Sequence, residues 1–248
     1  MAAVGSAINS IAGAGTLVTF PAIVALGVPP LIANATSTVG LLPGSIGSVV
    51  GYRQELTGAH AWLIRFTLPS LAGGALGGWF LLRIGAEWFE RVVPYLVLGA
   101  TVLFMLRGPL MAWLSRRRGV NEHSSSRPES PRWAFLVAQF GVGVYGGYFG
   151  AGIGILMLAT LGLMGLSNIH LMNGLKNWGG FCMNLVAAAI FALNGVVLWP
   201  LALVMGLGSV LGGYVGARMA QRVGQAVVRR AVVVIGFAAF IWLLTKPF

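Results

Sequence analysis

The sequence predicts an all-α polytopic membrane protein built from two inverted repeats, each a re-entrant or broken helix hairpin followed by three transmembrane helices. Three observations predict it. Of 248 residues, 57% are hydrophobic and only 8% charged, at a mean hydropathy of +0.86, which excludes an ordinary soluble domain. The chain is internally duplicated. Its basic residues divide very unevenly between the two sides of a membrane if the copies are inverted, and nearly evenly if they are not.

The duplication shows in two polar pentapeptides, Asn34-Ala-Thr-Ser-Thr38 and Asn173-Gly-Leu-Lys-Asn177, 139 positions apart. Each follows a glycine-broken apolar stretch, Ala12-Gly-Ala-Gly15 and Gly150-Ala-Gly-Ile-Gly154. Leu56 to Trp62 matches Leu193 to Trp199, and Gly73, Gly77, Gly78 and Arg83 match Gly208, Gly212, Gly213 and Arg218. Polar groups at equivalent places in both copies are the pattern expected of a transporter whose site lies where two repeats meet near the bilayer midplane.

Taken in order, the apolar segment 1–26 is divided by Ala12–Gly15 and reads as a hairpin. Segments 30–52, 63–82 and 92–113 supply three spans of about 20 residues, the length that crosses ~30 Å of hydrocarbon. Residues 114–132, rich in Ser, Pro and Arg, read as a mobile linker between repeat one (1–113) and repeat two (133–248). As one helix, segment 133–166 would be ~51 Å long, too long for a simple span. Its glycine cluster leaves two arms too short to cross comfortably, so a re-entrant or broken hairpin fits better. Segments 168–192, 197–217 and 228–245 complete the second copy. Residues 133–138 have no counterpart before Met1, so a native start upstream is expected.

Charge fixes the orientation. With four full spans per repeat, nine basic residues fall on one side and six on the other. With a re-entrant first segment the split becomes twelve (Arg53, Arg65, the six Arg of 107–132 and the four of 218–230) against three. The positive-inside rule then places the linker in the cytoplasm and Glu87 and Glu90 outside. The same topology accounts for the net charge of +11 without a nucleic-acid partner. A single cysteine, Cys182, excludes an internal disulfide and a thiolate metal site, and no basic n-region marks a cleavable signal peptide.

Lys176 is the basic residue lying deepest within a span. A lysine at a helix centre costs about 2.5–3.5 kcal/mol on insertion scales and normally faces a cavity or partner. The chain has no Asp, and its five Glu (55, 87, 90, 122 and 129) are assigned to loops, so an anionic ligand is the expected counter-ion. The alternative is a lysine that snorkels to the interface. Asn173, Lys176, Gly180 and Asn184 share one helical face, and Asn34, Ser37, Leu41, Gly44 or Ser45, and Ser48 trace the equivalent face of copy one. Asn34, Thr36, Ser37, Asn173 and Asn177 could hydrogen-bond the oxygens of a tetrahedral oxoanion, or could simply join helices. Gly13, Gly15, Gly152 and Gly154 would let half-helix N-termini approach an anion, or would serve close packing. Gly73, Gly77 and Gly78, with Gly208, Gly212 and Gly213, read as packing seams. Cys182 reads as a core residue, His170 as a capping or surface group in a short connection, and His60 and His123 as loop residues. No nucleophile elbow, zinc-ligand spacing or P-loop occurs, so neither ATP hydrolysis nor any other enzyme activity, metal or cofactor is expected.

The run Gly15-Thr-Leu-Val-Thr-Phe-Pro21, Leu26-Gly-Val-Pro-Pro30, Ala33 to Gly40, Leu-Leu-Pro-Gly44 and Gly51-Tyr-Arg53 closely resembles the TauE/SafE sulfite exporters, also called the 4-toluene sulfonate uptake permease family. Copy two adds Asn173 to Asn177, Asn184-Leu-Val-Ala187 and Gly212 to Arg218. The resemblance covers essentially the whole chain, although the first segment is short at its N-terminus. It implies a multi-pass carrier of a bacterial inner membrane for sulfur-containing anions such as sulfite, sulfonates or sulfoacetate, with export the expected direction. An anion channel using the same site and a non-transporting membrane scaffold are the alternatives. The expected partners are a small anion and the lipid bilayer, with homo-oligomerisation open and nucleic acid excluded.

Overall fold

The computed structural model describes residues 2–12, 15–117, 133–164, 166, 168–219 and 225–246. Gly13, most of the linker and Arg222 lie outside them. Among the described residues all regular structure is helical: α1 (Ala2–Ala12), α2 (Thr16–Ala25), α3 (Pro30–Gly51), α4 (His60–Ile84), α5 (Ala86–Arg117), α6 (Trp133–Tyr148), α7 (Ile153–Leu163), α8 (Ile169–Leu193), α9 (Trp199–Met219) and α10 (Gln225–Thr245).

Local chemistry sets these boundaries. Gly150 (φ 80°) and Gly152 (φ 77°) divide α6 from α7 in a left-handed conformation that only glycine adopts without cost. The Tyr145 hydroxyl braces the break by donating to the Ala151 carbonyl at 2.8 Å. With 16 residues in α6 and 11 in α7, the arms are about 24 and 16 Å long, short of a bilayer's hydrocarbon. α1 and α2, of 11 and 10 residues, flank the corresponding break in the first half. Pro30 opens α3 at N1, where its missing N–H costs nothing.

Four expectations are corrected here. Gly85 (φ 90°) turns the chain so sharply that α5 begins at Ala86, so Glu87 and Glu90 are helical rather than in a loop. An acid in the first turn suits the positive end of the helix dipole. α5 also runs to Arg117, four residues into the expected linker. His170 is at the surface, one of its two expected roles, but lies in the first turn of α8 rather than in a connection; the capping is done by Asn168, whose Oδ1 accepts from the His170 and Leu171 amides at 3.0 and 3.2 Å. His60, likewise, is the first residue of α4 rather than part of a loop.

The helices fall into two sets of five with matching contacts. α4 packs on α6 and α8, as α9 packs on α1 and α3, while α5 meets α10 and α3 crosses α8. Two tightly sealed trios result. In the first, an ideal Cβ on Gly73 would stand 2.5 Å from the Phe140 carbonyl oxygen, and one on Gly74 would stand 2.5 Å from the Met183 carbonyl oxygen. Gly77 faces the Val144 carbonyl and Gly147 faces Gly74, backbone to backbone. Gln139 Nε2 donates to Ser70 Oγ (2.9 Å) and Trp178 Nε1 to Thr67 Oγ1 (2.9 Å) across the same contacts. In the second trio Gly212 lies against the backbone of Ala3 and Gly40 against Met205. There the Leu198 amide donates to Thr36 Oγ1 (3.0 Å) and the Gly44 amide to Ser209 Oγ (3.1 Å). Small residues with interhelical polar links are how helices associate when lipid is as apolar as their side chains.

The outside is greasy. Leu203, Leu207 and Leu211 repeat along α9, Leu207 at 76% exposure, and Ile64 and Leu68 do so on α4. In water such stripes would drive association; they suit lipid. Among the described residues Ala86–Leu106 is the stretch both long and apolar enough to cross a membrane unaided. α3, α4 and α8 have 22 to 25 residues, and their Asn, Ser, Thr and Gly lower the apolarity while meeting neighbouring helices.

Candidate functional site

One cleft gathers the polar groups of α8. It is lined by Lys176, Asn177, Gly180, Phe181 and Asn184 of α8, Ile153, Gly154 and Met157 of α7, Ser45 and Ser48 of α3, and Asn9 of α1. The space between these side chains is about 340 Å³ when the open solvent at its mouth is counted. Both sets of helices contribute, and the cleft sits beside the crossing of α3 and α8.

The chemistry is one-sided. Lys176 is 3% exposed and Asn177 8%, and they are the deeply buried charge and amide of the lining. The Asn177 Nδ2 donor has no hydrogen-bond partner. α7 begins at this wall, with Gly152 as its left-handed N-cap and Gly154 in its first turn, so the positive end of that helix adds to the lysine. Asp and Glu are absent from the lining residues. Ser45 Oγ donates to the Leu41 carbonyl (3.3 Å) and Ser48 Oγ to that of Gly44 (3.0 Å). To serve an anion, each hydroxyl proton would turn away from its backbone acceptor. Ile153, Met157 and Phe181 make the remaining wall apolar. A cation, an amide donor and a helix N-terminus lining one small space favour an anion.

Of the residues picked from sequence, Lys176, Asn177 and Gly154 meet in this cleft, together with Asn184, Gly180, Ser45 and Ser48 from the two predicted faces. Asn34, Thr36, Ser37, Asn173, Gly15 and Gly152 are not among its lining residues. Asn34 Nδ2 donates to the Tyr148 carbonyl at 3.1 Å, and its Oδ1 is buried without a partner. Thr36 receives the Leu198 amide at the start of α9. The Ser37 hydroxyl bonds that of Thr19 at 2.6 Å, which in turn reaches the Gly15 carbonyl. Asn173 carries an unpartnered buried Oδ1 one turn before Lys176. Gly15 lies against Gly5 and Asn9, and Gly152 near Ala100. In copy one, then, the first half of the polar face of α3 (Asn34 and Ser37) meets neighbouring helices and its second half (Ser45 and Ser48) lines the cleft, whereas in copy two Lys176, Gly180 and Asn184 of the equivalent face line it.

Sequence reasoning missed Asn9, Met157 and Phe181. Asn9 had a signal, an amide within an apolar run just before the glycine break. It was hidden because the position 139 residues later holds Tyr148, so a search for repeated polar groups passes over it.

The chain is similar to known proteins over nearly its whole length. The family model described as sulfite exporter TauE/SafE matches residues 1–243. A "Probable membrane transporter protein" of Haemophilus influenzae is 31% identical over 94% of this chain and 88% of its own length. "Probable membrane transporter protein ORF9" of a Sinorhizobium species is 30% identical over 97% and 88%, and the Escherichia coli "Probable membrane transporter protein YfcA" is 28% identical over 92% and 81%. No solved structure matches the chain.

Proposed function

The chain belongs to the TauE/SafE sulfite exporter family, and from that premise we propose that it carries small sulfur-containing anions, such as sulfite, sulfonates or sulfoacetate, out across a bacterial inner membrane by alternating access. It is a multi-pass membrane transporter and not an enzyme. One observation carries the substrate reading: the cleft shared by both sets of helices is lined by Lys176, the Asn177 donor and the start of α7, with no carboxylate among its lining residues. Lys176 neutralises the anion, Asn177 and Asn184 donate to its oxygens, and Asn9, Ser45 and Ser48 close the site from the other half. Asn34, Thr36, Ser37 and Asn173 hold the frame around it. The two repeats, 1–113 and 133–248, are inverted about the α3–α8 crossing, with α1–α2 and α6–α7 as re-entrant hairpins. Access alternates as the two sealed trios tilt over one another there.

Gly180 supplies the test. A Cβ at Gly180 would meet nothing within 4 Å, so Gly180→Leu fills the cleft without crowding the helices and improves helix propensity by up to about 1 kcal/mol. We expect the purified wild type to be stabilised on heating by one or more of sulfite, thiosulfate, taurine and sulfoacetate, because ligands that bind the folded state raise its melting temperature. Gly180→Leu should melt no lower than wild type and lose that shift. An undiminished shift in the variant would place the anion elsewhere.

Orientation makes a separate prediction, motivated by the twelve-to-three split of basic residues. In a Cys182→Ala background, single cysteines at 87, 124 and 222 are exposed to a membrane-impermeant thiol reagent on intact cells. Position 87 should react and positions 124 and 222 should not. Labelling at 124 or 222 would discard the inverted arrangement and its cytoplasmic linker (114–132).

A further inference from the structure

We propose that the C-terminal end of α6, where the Asn34 side chain meets it, binds one desolvated alkali-metal cation at a place separate from the cleft. Two observations carry this. The first is an acceptor with nothing to accept. Asn34 is 1% exposed and does not line the cleft. Its Nδ2 donates to the Tyr148 carbonyl at 3.1 Å, while its Oδ1 is buried with no hydrogen-bond partner. Reversing the amide would set Oδ1 against the Tyr148 oxygen, so that bond fixes which end is left over. A buried acceptor left unmet carries its whole desolvation penalty.

The second is the helix end beside it. The last four carbonyls of a helix find no partner within it. Here the Phe149 and Gly150 amides both return to the Tyr145 carbonyl, at 2.9 and 3.2 Å, so among the described residues no backbone amide reaches the Gly146 or Gly147 oxygen. Gly150 then turns the chain away at φ 80°, and the Tyr145 hydroxyl is spent on the Ala151 carbonyl. The negative end of the α6 dipole therefore lies within one turn of the carbonyl that Asn34 touches. Aromatic rings pack around it, Phe149 edge-on to Phe20 at 5.5 Å and Phe89 edge-on to Tyr148 at 5.7 Å. Amide and backbone oxygens are the ligands of hard cations, and broken helices offer them at such ends. These oxygens are all neutral, which suits one positive charge rather than two. An amide oxygen does not take up a proton as a carboxylate does, so the occupant is a metal ion.

Melting temperatures of the purified full-length protein test this with no oxoanion present, so the result does not depend on what the cleft binds. Sodium or potassium chloride replaces N-methylglucamine chloride at constant ionic strength. One of the two metal ions should raise the midpoint saturably, by at least about 2 °C, and by more than the other does. Asn34→Leu, near in size but without the acceptor, should lose that shift. Asn34→Asp, which puts a full charge at the same place, should reach half its shift at a severalfold lower concentration. Equal shifts with both ions, or an undiminished shift in Asn34→Leu, would overturn the site as a bulk salt effect. No shift in the wild type would overturn it too, and leave the oxygen to water. Should Asn34→Leu fail to fold, an unmoved half-point in Asn34→Asp overturns the site instead.

Discussion

Lys176→Met is expected to weaken anion binding at least about thirtyfold, because removing one partner of a buried, hydrogen-bonded charge pair costs roughly 2–5 kcal/mol. Methionine keeps the length and apolar bulk of the lysine stem, so the packing of α8 is largely retained. Membrane insertion should not suffer either, since a central lysine is itself disfavoured by about 2.5–3.5 kcal/mol on insertion scales. Lys176→Arg should keep part of the affinity and alter selectivity, as a planar fork does not reproduce a compact ammonium in a small space. Binding isotherms on monodisperse protein would check both. Unaltered affinity in Lys176→Met would mean that the lysine serves the interface or the frame instead of the anion.

The largest effect on stability is expected at Gly77. A Cβ there would overlap the Val144 carbonyl and come within 2.7 Å of the Tyr148 amide nitrogen, and backbone cannot swing aside as a side chain can. Gly77→Leu therefore forces α4 off α6. Overpacking alone typically costs 1–3 kcal/mol, and parting these helices also strains the Ser70–Gln139 and Thr67–Trp178 bonds. The variant should lose folded yield or melt well below wild type. Gly99→Ala, on an exposed part of α5 where a Cβ meets nothing within 4 Å, should instead be neutral or slightly stabilising, by up to about 1 kcal/mol. Equal melting temperatures for the two variants would show that the glycine seam does not hold the trio together.

Much of the helical order was legible because the duplication and the glycine breaks are local signals. The split of 133–166 into α6 and α7 follows from length and from Gly150 and Gly152. The polar face of α8, with Lys176 and Asn184 on one side, follows from helical spacing. Other features depend on which helix covers which face, and periodicity carries no such information. The spacing that groups Asn34 and Ser37 is as regular as that of α8, yet α2 and the α6–α7 break occupy those side chains and α9 takes the neighbouring Thr36. Asn9 went unseen because it breaks the internal symmetry. Glu87 and Glu90 were assigned to a loop because a short charged stretch resembles one in hydropathy, although the turn at Gly85 lets them open a helix.

The proposed carrier moves a small anion through the cleft between its two halves, with Lys176 as the counter-charge. Counterflow of radiolabelled methanesulfonate in proteoliposomes preloaded with the unlabelled anion tests it most directly, because only a carrier that reorients while loaded gives a transient accumulation above equilibrium. Wild type should show that overshoot and Lys176→Met, reconstituted at equal density, should not. An overshoot of the same size in Lys176→Met would remove the lysine from the transport route, and none in the wild type would mean that this anion is not carried.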